Sequence, residues 1–229
     1  MLSEPPVRPT IFDFNGVLVD DEDVHFASFA EALAPLGLSL TREDYDERYL
    51  GFDDAGAFDA ILRDAGRAPA EAEVARLVDA KKPIYMRRIA TDLVIFDGAA
   101  ELVRSRAAGG VVGIVSGALR HEIEHCLGVM GVRDAVAFIV SAEDTQRCKP
   151  DPEGYHLGVA ALRAAGAPAA EAVVVEDSIA GVESAKAAGL RCVSVGHSYP
   201  LERLRGAGAD AAVAHLRELT DAILDGEPG

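Results

Sequence analysis

Short apolar runs rich in β-branched residues recur along the chain at residues 10–12, 111–115, 137–140, 173–175 and 191–195, each followed by a small polar cluster. Continuous runs of this length, without polar alternation, suit strands buried on both faces of a parallel sheet. Helical periodicity follows several of them. Residues 119–130 carry Ile123, Leu127 and Met130 on one stripe, and 179–188 are closed by Gly189 just past the last turn. Strands alternating with helices imply right-handed crossovers and an α/β fold built on a doubly wound parallel sheet. In such sheets chemistry gathers outside the carboxyl ends of the strands.

Residues 23–95 break the alternation. No strand pattern is legible there, only helical spacing: Phe26, Phe29, Ala30 and Leu33; then Phe58, Ile61 and Leu62; then Val74, Leu77 and Val78. The stretch predicts an α-helical cap domain (23–95) inserted after the first strand of a core made of 1–22 and 96–229. Phe96-Asp97-Gly98 predicts the return hinge.

Composition narrows the classes. With 22 Lys+Arg against 38 Asp+Glu, the 229-residue chain carries a formal charge of −16, which repels a phosphate backbone and argues against nucleic-acid binding. An apolar share of 49% supports a real core. No apolar run approaches the roughly 18 residues a membrane span needs, and MLSEPPVRPT has neither the basic start nor the apolar stretch of a signal peptide. Cys126, Cys148 and Cys192 are scattered, without CxxC spacing, so reduced thiols in a cytoplasmic protein are expected. With no heptad or long exposed apolar patch legible, a monomer or weak homodimer with no membrane partner is expected.

Four strand ends carry candidate chemistry. Asp13-Phe14-Asn15-Gly16 follows the first strand, and residues i and i+2 of an extended segment project to one side; a turn or capping role is the ordinary alternative for Asp13. Ser116-Gly117 follows the second buried run, where free N–H groups favour an anion or the serine simply caps a helix. Lys149, held extended by the proline after it, either points into a site or is solvated. Glu176 and Asp177 are adjacent carboxylates beyond a buried strand. They repel one another unless a cation or donors intervene, and hard oxygen ligands suit Mg²⁺.

Taken together, the segments FDFNGVLVDDE, IVSG, CKPDP and VVEDSIAGVESAKAAG resemble those of the haloacid dehalogenase-like hydrolase superfamily, in the branch of helically capped phosphatases and β-phosphoglucomutases. The resemblance covers nearly the whole chain. It implies a Mg²⁺-dependent phosphohydrolase of a small phosphorylated metabolite, acting through an aspartyl-phosphate on Asp13. It further implies that Asp13, the carbonyl of Asn15 and Asp177 hold the ion, with Glu176 direct or one shell out, and that Ser116, Gly117 and Lys149 bind phosphate.

One position departs from that pattern. Phosphatases of the family carry a second aspartate where this chain has Asn15. A carboxamide hydrogen-bonds but cannot cycle a proton near neutral pH, and general acid–base catalysis is worth about 10²–10⁴-fold. Four explanations stand: a proton supplied by Asp20, Glu22 or His25; substrates with good leaving groups; deamidation at Asn15-Gly16; or a weakened protein that binds a phosphometabolite or regulates without real turnover. In the cap, His25 resembles a residue of the linker leading in, Lys81 with Tyr85 resembles a substrate-pocket segment, and Gly51-Phe52-Asp53-Asp54 resembles the specificity loop. Asp54 stands where the mutase has an arginine for a second phosphate, which disfavours β-phosphoglucomutase activity. His121-Glu122-Ile123-Glu124-His125 matches HExxH, yet both histidines fall opposite the apolar stripe and are expected to face solvent, and no third ligand follows.

Overall fold

The computed structural model describes residues 7–50 and 52–226. In chain order, β1 (Thr10–Phe12) and β2 (Val19–Asp20) lead to α1 (Glu22–Leu33), α2 (Arg42–Asp44), α3 (Asp54–Asp64) and α4 (Glu71–Asp92), and β3 (Val94–Ile95) leads out. The chain then runs through α5 (Ala99–Gly109), β4 (Val112–Val115), α6 (Arg120–Met130), β5 (Phe138–Val140), α7 (Glu153–Ala164) and β6 (Val173–Glu176). It ends with α8 (Ile179–Ala187), β7 (Arg191–Val195), α9 (Leu201–Gly206), β8 (Ala211–Val213) and α10 (Asp221–Asp225). Two compact units result, residues 20–94 and the segments on either side of them.

In the larger unit six strands form one sheet in the order β5-β4-β1-β6-β7-β8, and every pairing is parallel. From β1 the order grows outward through β4 and β5, then returns to β6 on the other side. The reversal beside β1 is where an open α/β sheet leaves a crevice at its carboxyl edge. All residues of β1, β4 and β6 are buried, as the apolar runs predict, and Thr10 and Glu176 are the polar residues buried with them. On one face Ile11, Val115, Val140, Val174 and Cys192 pack with Tyr155 and Leu162 of α7 and Val182 and Ala185 of α8.

Three sequence expectations change. The edge strand β8 has no counterpart among the five apolar runs, because Ala211 and Ala212 lack the β-branched signal that marks a strand. Val94–Ile95, inside the stretch read as wholly helical, pairs with Val19–Asp20 as a small second ladder. His25, expected in a linker, lies in α1.

The helical unit has its own core, in which Phe29 and Leu33 of α1 meet Phe58, Ile61 and Leu62 of α3 and Val74 and Leu77 of α4. Phe29 and Phe58 pack edge to face with centroids 4.8 Å apart, a geometry worth about 0.5–1.5 kcal/mol beyond burial alone. Asp53 caps α3 by accepting the Gly56 N–H at 2.7 Å, which places Asp54 in the first turn. Among the described residues, no helix is long and apolar enough to cross a membrane. Cys126 and Cys192 are buried and Cys148 is exposed, all as free thiols.

Candidate active site

β1 delivers Asp13 to the carboxyl edge. Its N–H still bonds the Val175 carbonyl at 2.9 Å, extending the ladder with β6 by one residue. The chain then turns sharply: Phe14 O accepts the N–H of Leu18 and of Val19, and Gly16 N–H bonds Val19 O. Gly16 has φ +73°, and a Cβ on it would overlap the carboxylate of Asp177. Both the left-handed backbone and the close approach require glycine. Asp13 caps no helix. The residue is 7% exposed, and its Oδ1 accepts from Lys149 Nζ at 2.6 Å.

Lys149 binds three strand ends at once. Besides Asp13 it donates to Glu176 Oε1 at 2.6 Å and to the Val115 carbonyl at 3.2 Å, so it is not a solvated loop lysine. The segment carrying it is pinned by Glu153, which accepts the N–H of Gln146 and of Arg147. It is pinned again at Asp151, whose carbonyl takes the Ser184 hydroxyl at 2.7 Å.

Glu176 is fully buried and fully engaged. Oε1 takes Lys149 and the Tyr155 hydroxyl at 2.8 Å, and Oε2 takes the N–H of Asp177, the N–H of Ser178 and the Ser178 hydroxyl. Gly181 leaves room for it, since a Cβ there would overlap its carboxylate. The cap of α8 is Ser178, which accepts the Gly181 N–H, so neither Glu176 nor Asp177 is consumed by capping. Asp177, 4% exposed, takes the Ser198 hydroxyl on Oδ2.

The electrostatics follow from three buried carboxylates around one ammonium, which pairs with two of them, Asp13 and Glu176. Burial works against charge on Glu176, but Lys149 first, then Tyr155 and Ser178, outweigh it and hold its carboxyl below the usual range. Burial pushes Asp13 up to about 6, with Lys149 pulling down and Glu176 pushing up. Asp177 is raised well above the usual carboxylate range, by burial and then by Glu176 and Asp13. Lys149 is raised because two carboxylates outweigh the cost of burying it. A site whose acids are driven to hold protons for want of positive charge is one a cation relieves. Asp13, Glu176 and Asp177 each offer an oxygen within 4.8 Å of the others, the one such group of three metal-ligating side chains among the described residues. Hard oxygens in this number fit Mg²⁺. With Glu176 committed to five donors, Asp13 and Asp177 are the carboxylates with capacity to spare.

Ser116, 7% exposed, donates to Asn15 Oδ1 at 3.4 Å and accepts the Ala118 N–H at 3.2 Å. Helix α6 starts only at Arg120, with Leu119 as its N-cap, so the serine is not the helix cap. Gly117 beside it is exposed.

The profile of haloacid dehalogenase-like hydrolases matches residues 10–195, from β1 through β7. The chain belongs to that family. Protein CbbY of Rhodobacter capsulatus is 30% identical over 97% of this chain and 98% of its own. Hexitol phosphatase B of Escherichia coli K12 is 28% identical over 93% and 95%. Among solved structures, a CbbY variant from Rhodobacter sphaeroides in complex with xylulose-(1,5)bisphosphate superposes with a TM-score of 0.84, at 29% identity over 96% of this chain and 99% of that one.

Within this haloacid dehalogenase-like chain the cap unit gathers its own polar cluster. Lys81 of α4 is fully buried. It is 2.7 Å from His25 Nδ1, is paired with Asp54, and lies 4.2 Å over the Phe29 ring. An ammonium has no lone pair to offer, so Nδ1 of His25 is the acceptor and Nε2 carries the proton, 3.2 Å from Asp21 Oδ2. Asp21 also takes the Tyr85 hydroxyl, and Glu22 that of Tyr45. Lys81 is therefore not a solvated helix lysine. Asp54, expected to repel a second phosphate, has its charge taken up by Lys81. Gly51 lies outside the described residues. In the HExxH stretch His121 is exposed, His125 is half-buried rather than solvent-facing, and buried Glu122 accepts the Leu119 N–H at 3.1 Å.

Tyr155, His197 and Ser198 were not singled out by sequence reasoning. The last two follow β7 directly, so the rule that found Asp13 at a strand's carboxyl end extends to them. Tyr155 has no such signal; only the register of α7 on the sheet brings its hydroxyl to Glu176.

Proposed function

We propose that this hydrolase cleaves the phosphate monoester of a small metabolite in the cytoplasm, passing the phosphoryl group to Asp13 and then to water. The observation that carries the reading is the 2.6 Å contact of Lys149 with Asp13 inside a cluster of three buried carboxylates. An ordinary turn aspartate would have no reason to sit there. The phosphatase names and the bisphosphate ligand of the relatives point the same way.

Asp13 attacks phosphorus through a carboxylate oxygen, the ester oxygen leaves with the bonding pair, and an acyl phosphate remains on Asp13. Water then displaces the carboxylate at phosphorus and releases inorganic phosphate. Lys149 balances charge on the nucleophile and the transferring group, and Ser116 with the neighbouring amides orients the phosphate oxygens. Glu176 keeps Lys149 in place. Mg²⁺ held by Asp13, Asp177 and the Asn15 carbonyl would supply the positive charge that lets an anionic nucleophile approach an anionic ester. Asn15 can donate a hydrogen bond to the leaving oxygen but not a proton, so substrates with acidic leaving groups react fastest.

Asn15 also favours a second reading, a phosphometabolite-binding or regulatory protein with little turnover. A panel of phosphorylated metabolites assayed with Mg²⁺ for wild type, Asp13→Asn and Asn15→Asp separates the two. Wild-type phosphate release that disappears in Asp13→Asn is the expected result. Release only from Asn15→Asp favours the second reading, and full activity in Asp13→Asn overturns the nucleophile.

A further inference from the structure

The loop between β7 and α9 touches the cation-binding region twice through consecutive residues. His197 Nδ1 lies 2.7 Å from the Gly16 carbonyl. A carbonyl only accepts, so Nδ1 carries a proton and donates it. The ring is held in plane by Phe96, stacked at a centroid distance of 3.9 Å and an interplanar angle of 19°. Next along the chain, Ser198 donates its hydroxyl to Asp177 Oδ2. Asp177 has no share in the Lys149 contacts that organise Asp13 and Glu176. Its orientation is set from this loop and by the wall of Gly16, which tolerates no side chain beside that carboxylate.

We propose that Ser198 and His197 are positioning residues for the divalent cation. Ser198 occupies Oδ2 of Asp177 and leaves the other oxygen for the ion. His197 anchors the carbonyl of Gly16 and so the turn that presents the Asn15 carbonyl. Neither residue touches the reacting atoms. The proposal rests on the Mg²⁺ site described above. Partners that orient a metal ligand typically change affinity by about 10–100-fold when removed.

The test is Mg²⁺ binding to the metal-stripped full chain by isothermal titration calorimetry, with no substrate present. The variants are Ser198→Ala, Ser198→Thr, His197→Phe and Asp177→Asn, and thermal melts in EDTA establish that each is folded. Ser198→Ala is expected to weaken Mg²⁺ by about 10-fold or more, and Ser198→Thr, which keeps the hydroxyl, to stay within about threefold of wild type. His197→Phe keeps an aromatic ring for the stack but loses the donor, and it too is expected to bind more weakly. Ser198→Ala and His197→Phe both binding within about twofold of wild type would overturn the proposal. So would equal weakening in the Ala and Thr variants, which would assign the loss to loop packing and not to the hydroxyl. Asp177→Asn separates the two levels: if it binds Mg²⁺ as well as wild type, the metal site itself is wrong, whereas its loss beside intact Ser198→Ala and His197→Phe binding removes only the positioning role.

Discussion

Nζ of Lys149 lies 2.6 Å from Oδ1 of Asp13, and Oε1 of Glu176 accepts from the same nitrogen, also at 2.6 Å. Neither acid has the ammonium to itself. Replacing Lys149 by Met leaves two buried carboxylates without their cation, and breaking a buried pair in this way costs about 3–5 kcal/mol. The urea midpoint of Lys149→Met in EDTA should fall accordingly. Adding Glu176→Gln should return part of the loss, because the neutral amide no longer needs a counter-charge. A single variant as stable as wild type would mean the ammonium is not structurally coupled to the two acids.

Asn15 predicts a leaving-group dependence. Without a proton donor, wild type should hydrolyse aryl or acyl phosphates far better than alkyl phosphates. Asn15→Asp should raise kcat/KM for alkyl phosphates by about 10²–10⁴-fold and change aryl phosphates much less. Steady-state rates on p-nitrophenyl phosphate and a sugar phosphate read the difference. Equal acceleration of both substrates would place the effect in binding instead of proton transfer, and no acceleration would place the donor elsewhere in the chain.

Much of this site was legible because its residues obey one local rule. Asp13, Ser116 and Glu176–Asp177 each end a buried strand, and strand ends can be read from apolar runs. What escaped the sequence depends on contacts between distant segments. Tyr155 reaches Glu176 from a helix face, and Lys81 meets Asp54 across two cap helices; nothing in the local spacing announces either meeting. β8 escaped for a different reason: two alanines and a valine at a sheet edge carry almost no strand signal.

The raised acids give the metal effect a pH dependence. Asp13 moves from an ordinary 3.8 to about 6, and Asp177 is raised well above the usual carboxylate range. A carboxyl with a raised folded-state value contributes stability below its unfolded value and loses it as pH rises through the folded one. The metal-free protein should therefore lose stability from about pH 4 upward through pH 6 and beyond. Mg²⁺ competes with those protons and adds stability by mass action. The gain in Tm on adding Mg²⁺ should be larger at pH 7.5 than at pH 5. An equal gain at both values would separate the ion from these carboxylates.

The pairing of Asp54 with Lys81 predicts a stability effect inside the cap unit. Lys81 is fully buried, with Asp54 as its ion-pair partner and His25 as its other close polar contact. Removing one partner of a buried pair costs about 3–5 kcal/mol, because the charge left behind is still out of water. Asp54→Asn should therefore lower the urea midpoint, and Lys81→Met added to it should return part of the loss, since the double variant buries no unpaired ammonium. Urea unfolding of the wild type, the single variant and the double variant decides it. A single variant as stable as wild type would mean that the other acids of the cluster, Asp21 and Glu22, carry the charge of Lys81 without Asp54.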